Sequence, residues 1–203
     1  MLLAGDSLII GALSYLPSLH GSLPHDKVTR IAEIMKNGSF ELGASAFEEF
    51  KFIRNCKVSP DQYLKVVYMK AADVESYTKI GAIVAGADEK TIATFGKFGR
   101  LLGMIAILRD DIEDTFNDLN ELKSRIVNES LPLPIILSLE DPKLCEMIKS
   151  VTLKTSKKDL NKILVHVEQQ QGFEKAKGII EGYINEIFNS MIPRHYTSRI
   201  AFM

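Results

Sequence analysis

Apolar residues recur at spacings of three and four along nearly the whole chain, and no segment alternates strictly enough to argue for a strand. Residues 1–16 form one apolar stretch, "MLLAGDSLIIGALSYL", closed by Pro17. In "SLPHDKVTRIAEIM", Pro24 stands near a first helical turn and Asp26 adds an acidic residue to it. Val28, Ile31, Ile34 and Met35 then keep helical spacing, and the pattern continues through "FELGASAFEEFKFI" towards Arg54. Ser59 as N-cap and Pro60 at the first helical position start the next helix, which is predicted to run unbroken to the glycines of "GAIVAGA". Asp88 caps one long helix over "DEKTIATFGKFGRLLGMIAILRDDIEDTF". "NDLNELKSRIVNES" is short and polar, "LPLPIILSL" reads as a Pro-initiated apolar helix, and "EDPKLCEMIKSV" as another short helix. Two more helices, separated by Gly172, finish the chain. No long linker, low-complexity block or fixed-period repeat divides residues 1–203, so the prediction is one all-α domain with helix packed on helix.

Charge narrows the function classes. A formal net charge of −1 gives no general attraction to nucleic acid or an anionic membrane. Cys56 and Cys145 have no metal-ligand spacing, which argues against a structural zinc; two lone cysteines suit a reducing cytoplasm, the expected location. The apolar N-terminus lacks a basic flank, carries Asp6, and meets Pro17 before the roughly 20 residues of a membrane span. It is read as a buried helix, with no transmembrane segment. His20, His25, His166 and His195 have no carboxylate or nucleophile partner at motif spacing, and Met69, Met104 and Met147 read as core filling.

The long helix ends in "LRDDIEDTFND" after the apolar run "LLGMIAIL". Asp110, Asp111 and Asp114 fall at i, i+1 and i+4, so the three carboxylates share one edge of the helix about a turn long. Their mutual repulsion costs a few tenths of a kcal/mol for an exposed i,i+4 pair. Either they are a solvated helix end, or they hold something positive. Mg²⁺ prefers oxygen ligands and needs only one or two carboxylates when substrate phosphates supply others. The spacing therefore suits a Mg²⁺–phosphate clamp better than an all-protein cage. Gly96, Gly99 and Gly103 on the same helix allow close helix approach.

"FGRLLGMIAILRDDIEDTF" followed by "LPLPIILSL" resembles the second aspartate-rich region of trans-prenyl diphosphate synthases, the polyprenyl synthetase family. Other fragments follow in that family's order. "LLAGDSLIIGAL" resembles its "GD" helix, "GSFELGA" its "GQ" segment, and "YLKVVYMKAADV" with "IGAIVAGA" its "KT" helix. The resemblance implies an all-α helical bundle of the isoprenoid synthase type. It implies condensation of isopentenyl diphosphate onto an allylic prenyl diphosphate, with Mg²⁺ as cofactor. Asp110, Asp111 and Asp114 would be the metal ligands. Lys70 would be catalytic and would contact the diphosphate, its other reading being a solvated helix lysine. The family's lysine-containing loop is shortened here, and Lys123 and Arg125 stand where its charge would be replaced, with Lys123 taken as a diphosphate contact.

The departures shape the expectation. Ser39 stands at the "GQ" glutamine, Ala71 at the "KT" threonine, and Ala106 and Ile107 before the acidic motif, while the Lys70–Gly81 spacing is about one residue short. No second DDxxD occurs in the 203 residues. The chain is therefore expected to be N-terminally incomplete relative to the family fold, impaired alone, and to expose apolar surface over 1–16 and 94–108. A homodimer or heteromer is expected. The alternative is a non-catalytic or half-site subunit of a heteromeric synthase. A terpene synthase-like lyase ranks lower, because "NDLNELKSR" offers Glu121 and Arg125 where its second metal motif needs Ser/Thr and Glu. Arg109 is expected to pair with Glu113 or a phosphate.

Overall fold

The computed structural model describes Ser7, Ile10, Gly11 and residues 13–190. A 3₁₀ turn, Leu16–Gly21, leads into α1 (His25–Phe50). There follow α2 (Pro60–Lys70), α3 (Ala72–Val84), α4 (Glu89–Phe116), α5 (Leu119–Asn128) and the single turn α6 (Leu133–Ile136). The chain continues as α7 (Pro142–Ser150), α8 (Lys157–Gln169) and α9 (Gly172–Ser190). Among the described residues the only extended pairing is an isolated bridge, Ile53 with Ser130, as the all-α reading requires.

Local chemistry sets several helix starts. Ser59 Oγ accepts from the Gln62 N–H at 3.2 Å while the Gln62 side chain accepts from the Ser59 N–H at 2.9 Å, a reciprocal cap that satisfies two otherwise orphaned donors. Asp88 accepts from the Thr91 N–H at 2.7 Å. Asp118, Asp141 and Ser156 cap α5, α7 and α8 in the same way.

Helix α4 is the axis on which α2, α3, α5, α6 and α9 pack. Its glycines let α3 lie close: a Cβ at Gly99 would stand 2.6 Å from the Val74 carbonyl oxygen, and one at Gly103 would stand 2.8 Å from Ala71 Cβ. The main core gathers Tyr63, Leu108, Leu122, Ile126, Leu133 and Ile163 with their neighbours, and Met69 excepted, the methionines expected there pack on it. A smaller cluster joins Ile31, Ala82, Ile83 and Ile92. Full burial of one such aliphatic side chain stabilises by about 1.5–3 kcal/mol.

The predicted unbroken helix from Ser59 to the glycines is divided at Ala71, where ψ opens to 6°. Arg100 stands at the break, donating to the Tyr68 carbonyl at 2.6 Å and to both Glu41 carboxylate oxygens at 2.9 and 3.0 Å, and pairing with Glu75. A side chain inserted at the helix ladder is a recognised cause of such a kink. "LPLPIILSL" forms one turn rather than a full helix; Leu131, Leu133 and Ile135 are buried within it and beside it.

Most of residues 1–12, including the Gly5–Asp6 pair, lies outside the described residues. The buried reading does not hold for Ile10, 68% exposed, or Leu13, 44% exposed. Phe95 and Leu102 on α4 are also exposed, as expected for the 94–108 face. Among the described residues α4 alone is long and apolar enough to cross a membrane, and it serves here as the central packing helix.

Candidate functional site

The acidic end of α4 separates its three carboxylates. Asp110 is exposed and makes no ion pair among the described residues. Asp111 is only 1% exposed. Its Oδ2 accepts from the Tyr63 hydroxyl at 2.6 Å and from the Leu133 N–H at 3.1 Å, and its Oδ1 accepts from Arg125 Nη2 at 2.8 Å. Asp114 stays partly exposed, with Oδ2 accepting from Arg125 Nη1 at 2.7 Å. Arg125 Nε lies 3.4 Å from Glu129 Oε2 without a hydrogen bond. The guanidinium of α5 thus spans two carboxylates of α4, and the hydroxyl of α2 closes the other side.

Burial dominates the electrostatics at this point. It pushes the Asp111 carboxyl above its usual value, against the opposing pull of Arg125, Tyr63 and the Leu133 N–H. Burial, then the Asp111 charge, raises the Tyr63 phenol well above its ordinary value. Burial works against the Arg125 cation, but Asp111, Tyr63 and Glu129 together outweigh it and hold the guanidinium above its ordinary value.

Asp111 is therefore not placed as the sequence pattern implies for a metal ligand: its oxygens are engaged by three donors. Among the described residues no group of three His, Cys, Asp or Glu could hold a metal together. Mg²⁺ takes one or two carboxylates beside phosphate and water, so the donor set to weigh is the pair of carboxylates left open. Asp110 is open, and Asp114 keeps one oxygen that no protein donor uses.

Lys70 closes α2 and lines a cleft of about 240 Å³ with Ala46, Glu49, Phe50, Arg125 and Ser130. Its side chain is 35% exposed and its ammonium is ion-paired. Nζ lies 3.1 and 3.0 Å from the two Glu49 oxygens, and Ser130 Oγ donates to Glu49 Oε1 at 2.7 Å. Arg125 lines the same cleft while gripping Asp111 and Asp114, so Lys70 and the acidic helix end are brought to one region. Lys123 is half-buried two residues before Arg125 and does not line the cleft. Ser39 is exposed on α1 and is not part of the cleft lining either.

Three pairings escaped the sequence pattern. Glu49 meets Lys70 across 21 residues, and Tyr63 meets Asp111 across 48, with no motif to signal either. His166, read as unpartnered, has Nδ1 2.7 Å from Asp141 Oδ2. Arg109 does pair with Glu113, at 2.8 Å one turn on. Cys56 donates weakly to the Cys145 carbonyl at 3.8 Å, and burial pushes its thiol up to about 12.

With this geometry in hand, the chain can be set beside known proteins. Residues 2–167 match the polyprenyl synthetase family. The chain is 24% identical to heptaprenyl diphosphate synthase component 2 of Bacillus subtilis, over 94% of this chain and 55% of that protein. It is 27% identical to the chloroplastic solanesyl diphosphate synthase 2 of Arabidopsis thaliana, over 86% of this chain and 41% of that one. It thus spans about half the length of these relatives. Its fold is that of the geranylgeranyl pyrophosphate synthetase of Pyrococcus horikoshii, with a TM-score of 0.79, 23% identity, and coverage of 91% of this chain and 58% of the other. The geranylgeranyl pyrophosphate synthase of Corynebacterium glutamicum, solved with isoprenyl diphosphate and magnesium, shares it with a TM-score of 0.75 at 20% identity, over 97% of this chain and 59% of the other.

Proposed function

Because this chain belongs to the polyprenyl synthetase family, we propose that it serves prenyl diphosphate synthesis as one wall of a prenyltransferase site. The Lys70 cleft binds the diphosphate of an allylic prenyl diphosphate, and isopentenyl diphosphate is the second substrate. The observation that carries this reading is the placement of the Lys70 ammonium in a cleft shared with Arg125, next to the acidic end of α4.

In the reaction, the allylic carbon–oxygen bond breaks and its electron pair leaves on diphosphate. The double bond of isopentenyl diphosphate attacks the resulting allylic cation, a carbon–carbon bond forms, and a proton is lost. The ammonium of Lys70 stabilises the departing diphosphate as a point charge. Arg125, its charge engaged by Asp111 and Asp114, fixes α5 to α4 at the cleft wall. Mg²⁺, held by Asp110 and the unengaged oxygen of Asp114, would neutralise further charge on the leaving group.

The chain alone is impaired for the full condensation in this reading. Glu49 competes for Lys70, Arg125 occupies two of the three clamp carboxylates, and no second DDxxD occurs in the sequence. Product formation from isopentenyl diphosphate, an allylic diphosphate and Mg²⁺ tests this. The expected yield from the purified chain is at or near background, and steady multiple turnover would overturn it.

A half-site role within a heteromer is favoured by one observation. Phe40, Phe47 and Phe50 are each more than two-thirds exposed or nearly so on α1, at 73%, 66% and 71%. An apolar patch of this kind on a helix face is characteristic of a surface that meets a partner. Mass measurement in solution tests it: a stable monomer whose α1 face is unaffected by any synthase subunit counts against the heteromer.

A further inference from the structure

The metal-side carboxylates are already served by a cation that belongs to the chain. We propose that Arg125 is a resident cation at the acidic end of α4, taking at Asp111 and Asp114 the place a divalent ion would otherwise fill. The inference rests on reading that helix end as the metal side of a prenyltransferase site.

Three observations and one property of the guanidinium carry it. Arg125 Nη2 and Nη1 reach Asp111 and Asp114 at 2.8 and 2.7 Å, a fork that spans carboxylates three residues apart on one helix. The remaining Asp111 oxygen faces two hydrogen-bond donors, the Tyr63 hydroxyl and the Leu133 N–H, whose positive ends would repel a metal ion. The pair is also largely buried: the side chains of Asp111 and Arg125 are 1% and 12% exposed. Mg²⁺ loses its waters reluctantly and demands near-octahedral geometry, so a buried carboxylate ringed by donors does not suit it. Finally, a guanidinium does not deprotonate in the working range and cannot be removed by a chelator.

The consequence is a helix end that needs no metal to hold its shape. Arg125 ties α5 to α4, and through Asp111 it ties both to α2 and to the turn before Leu133. Any Mg²⁺ that binds here does so through Asp110 and the free Asp114 oxygen, and the cluster accommodates fewer ions than three carboxylates would.

Thermal unfolding of the full chain in EDTA and in millimolar Mg²⁺ alone tests the proposal. The wild-type midpoint should rise in Mg²⁺ no more than that of Asp111→Asn, because only Asp110 and the free Asp114 oxygen are open to the ion. Arg125→Met should unfold several degrees lower in EDTA and recover part of the loss in Mg²⁺, because Asp111 and Asp114 are then free to take an ion. The double variant Asp111→Asn, Arg125→Met should lose the part of that Mg²⁺ recovery that passes through Asp111. If Arg125→Met does not fold, Arg125→Lys keeps the charge without the fork and should give an intermediate midpoint, with no Mg²⁺ response beyond that of wild type. A wild-type midpoint that rises in Mg²⁺ and loses that rise in Asp111→Asn would overturn the proposal. So would an Arg125→Met protein as stable as wild type in EDTA, or one that Mg²⁺ does not recover. Failure of the prenyltransferase reading registers separately, as a wild-type midpoint unmoved by inorganic pyrophosphate added with Mg²⁺.

Discussion

Glu49 holds Lys70: its two carboxylate oxygens lie 3.0 and 3.1 Å from the ammonium, across a cleft wall shared by α1 and α2. The pair is partly buried, so its attraction is less screened than that of an exposed pair. An incoming diphosphate meets the ammonium and the carboxylate together. Glu49→Gln keeps the shape of the side chain and its contact with Ser130 but removes the competing charge. Affinity for inorganic pyrophosphate with Mg²⁺, measured by titration calorimetry, should rise roughly tenfold, equivalent to about 1.4 kcal/mol. An unchanged affinity would mean that diphosphate does not approach Lys70.

Tyr63→Phe removes one of the donors on buried Asp111 without opening a large cavity. The carboxylate is left under-satisfied in a buried position, which costs about 1–3 kcal/mol. Urea unfolding should show the midpoint falling with an unchanged slope, while the helical signal is kept. Equal stability would mean that the phenol is not needed to satisfy Asp111.

Gly103→Ala and Gly182→Ala should move stability in opposite directions. Either change gains up to about 1 kcal/mol of helix propensity. At Gly103 the new methyl would stand 2.8 Å from Ala71 Cβ, and overpacking of that kind costs about 1–3 kcal/mol, so the net effect is a loss. At Gly182 nothing lies within 4 Å, so the gain should survive. Denaturant unfolding of both variants checks the contrast; a gain at both sites would refute the close approach of α3 and α4.

How far these arrangements could be read from the sequence follows from the range of the interactions. Ser59–Pro60, Asp88 and the helical spacing of Val28 to Met35 act within one turn, so the pattern located those helices. Gly99 and Gly103 were legible because only a missing side chain permits the approach of α3. The break at Ala71 was not, because a helix-favouring residue sits there and the cause, Arg100, lies 29 positions away. The acidic run identified a charged helix end but not the fate of each carboxylate. That depends on Tyr63, Arg125 and Leu133, brought together by packing alone.

Glu75 offers a pH test away from the cleft. Burial pushes its carboxyl up, but Lys79 and Arg100 outweigh that and hold it below its ordinary value. A depressed carboxyl contributes stability that is full above its unfolded value and is lost as pH falls through the folded one. Wild type should therefore exceed Glu75→Gln in stability at neutral pH, and the gap should close as pH falls through and below the ordinary glutamate range. Unfolding curves at several pH values measure the gap; a constant difference would show that the charge of Glu75 is not what Arg100 and Lys79 stabilise.

Binding of an allylic prenyl diphosphate to the full chain in Mg²⁺, followed by titration calorimetry for wild type and Lys70→Ala, tests the central claim most directly. The account predicts saturable binding by wild type and a loss of roughly tenfold, about 1.4 kcal/mol, when the ammonium is removed. Equal binding by the two proteins, or none by wild type, would contradict it.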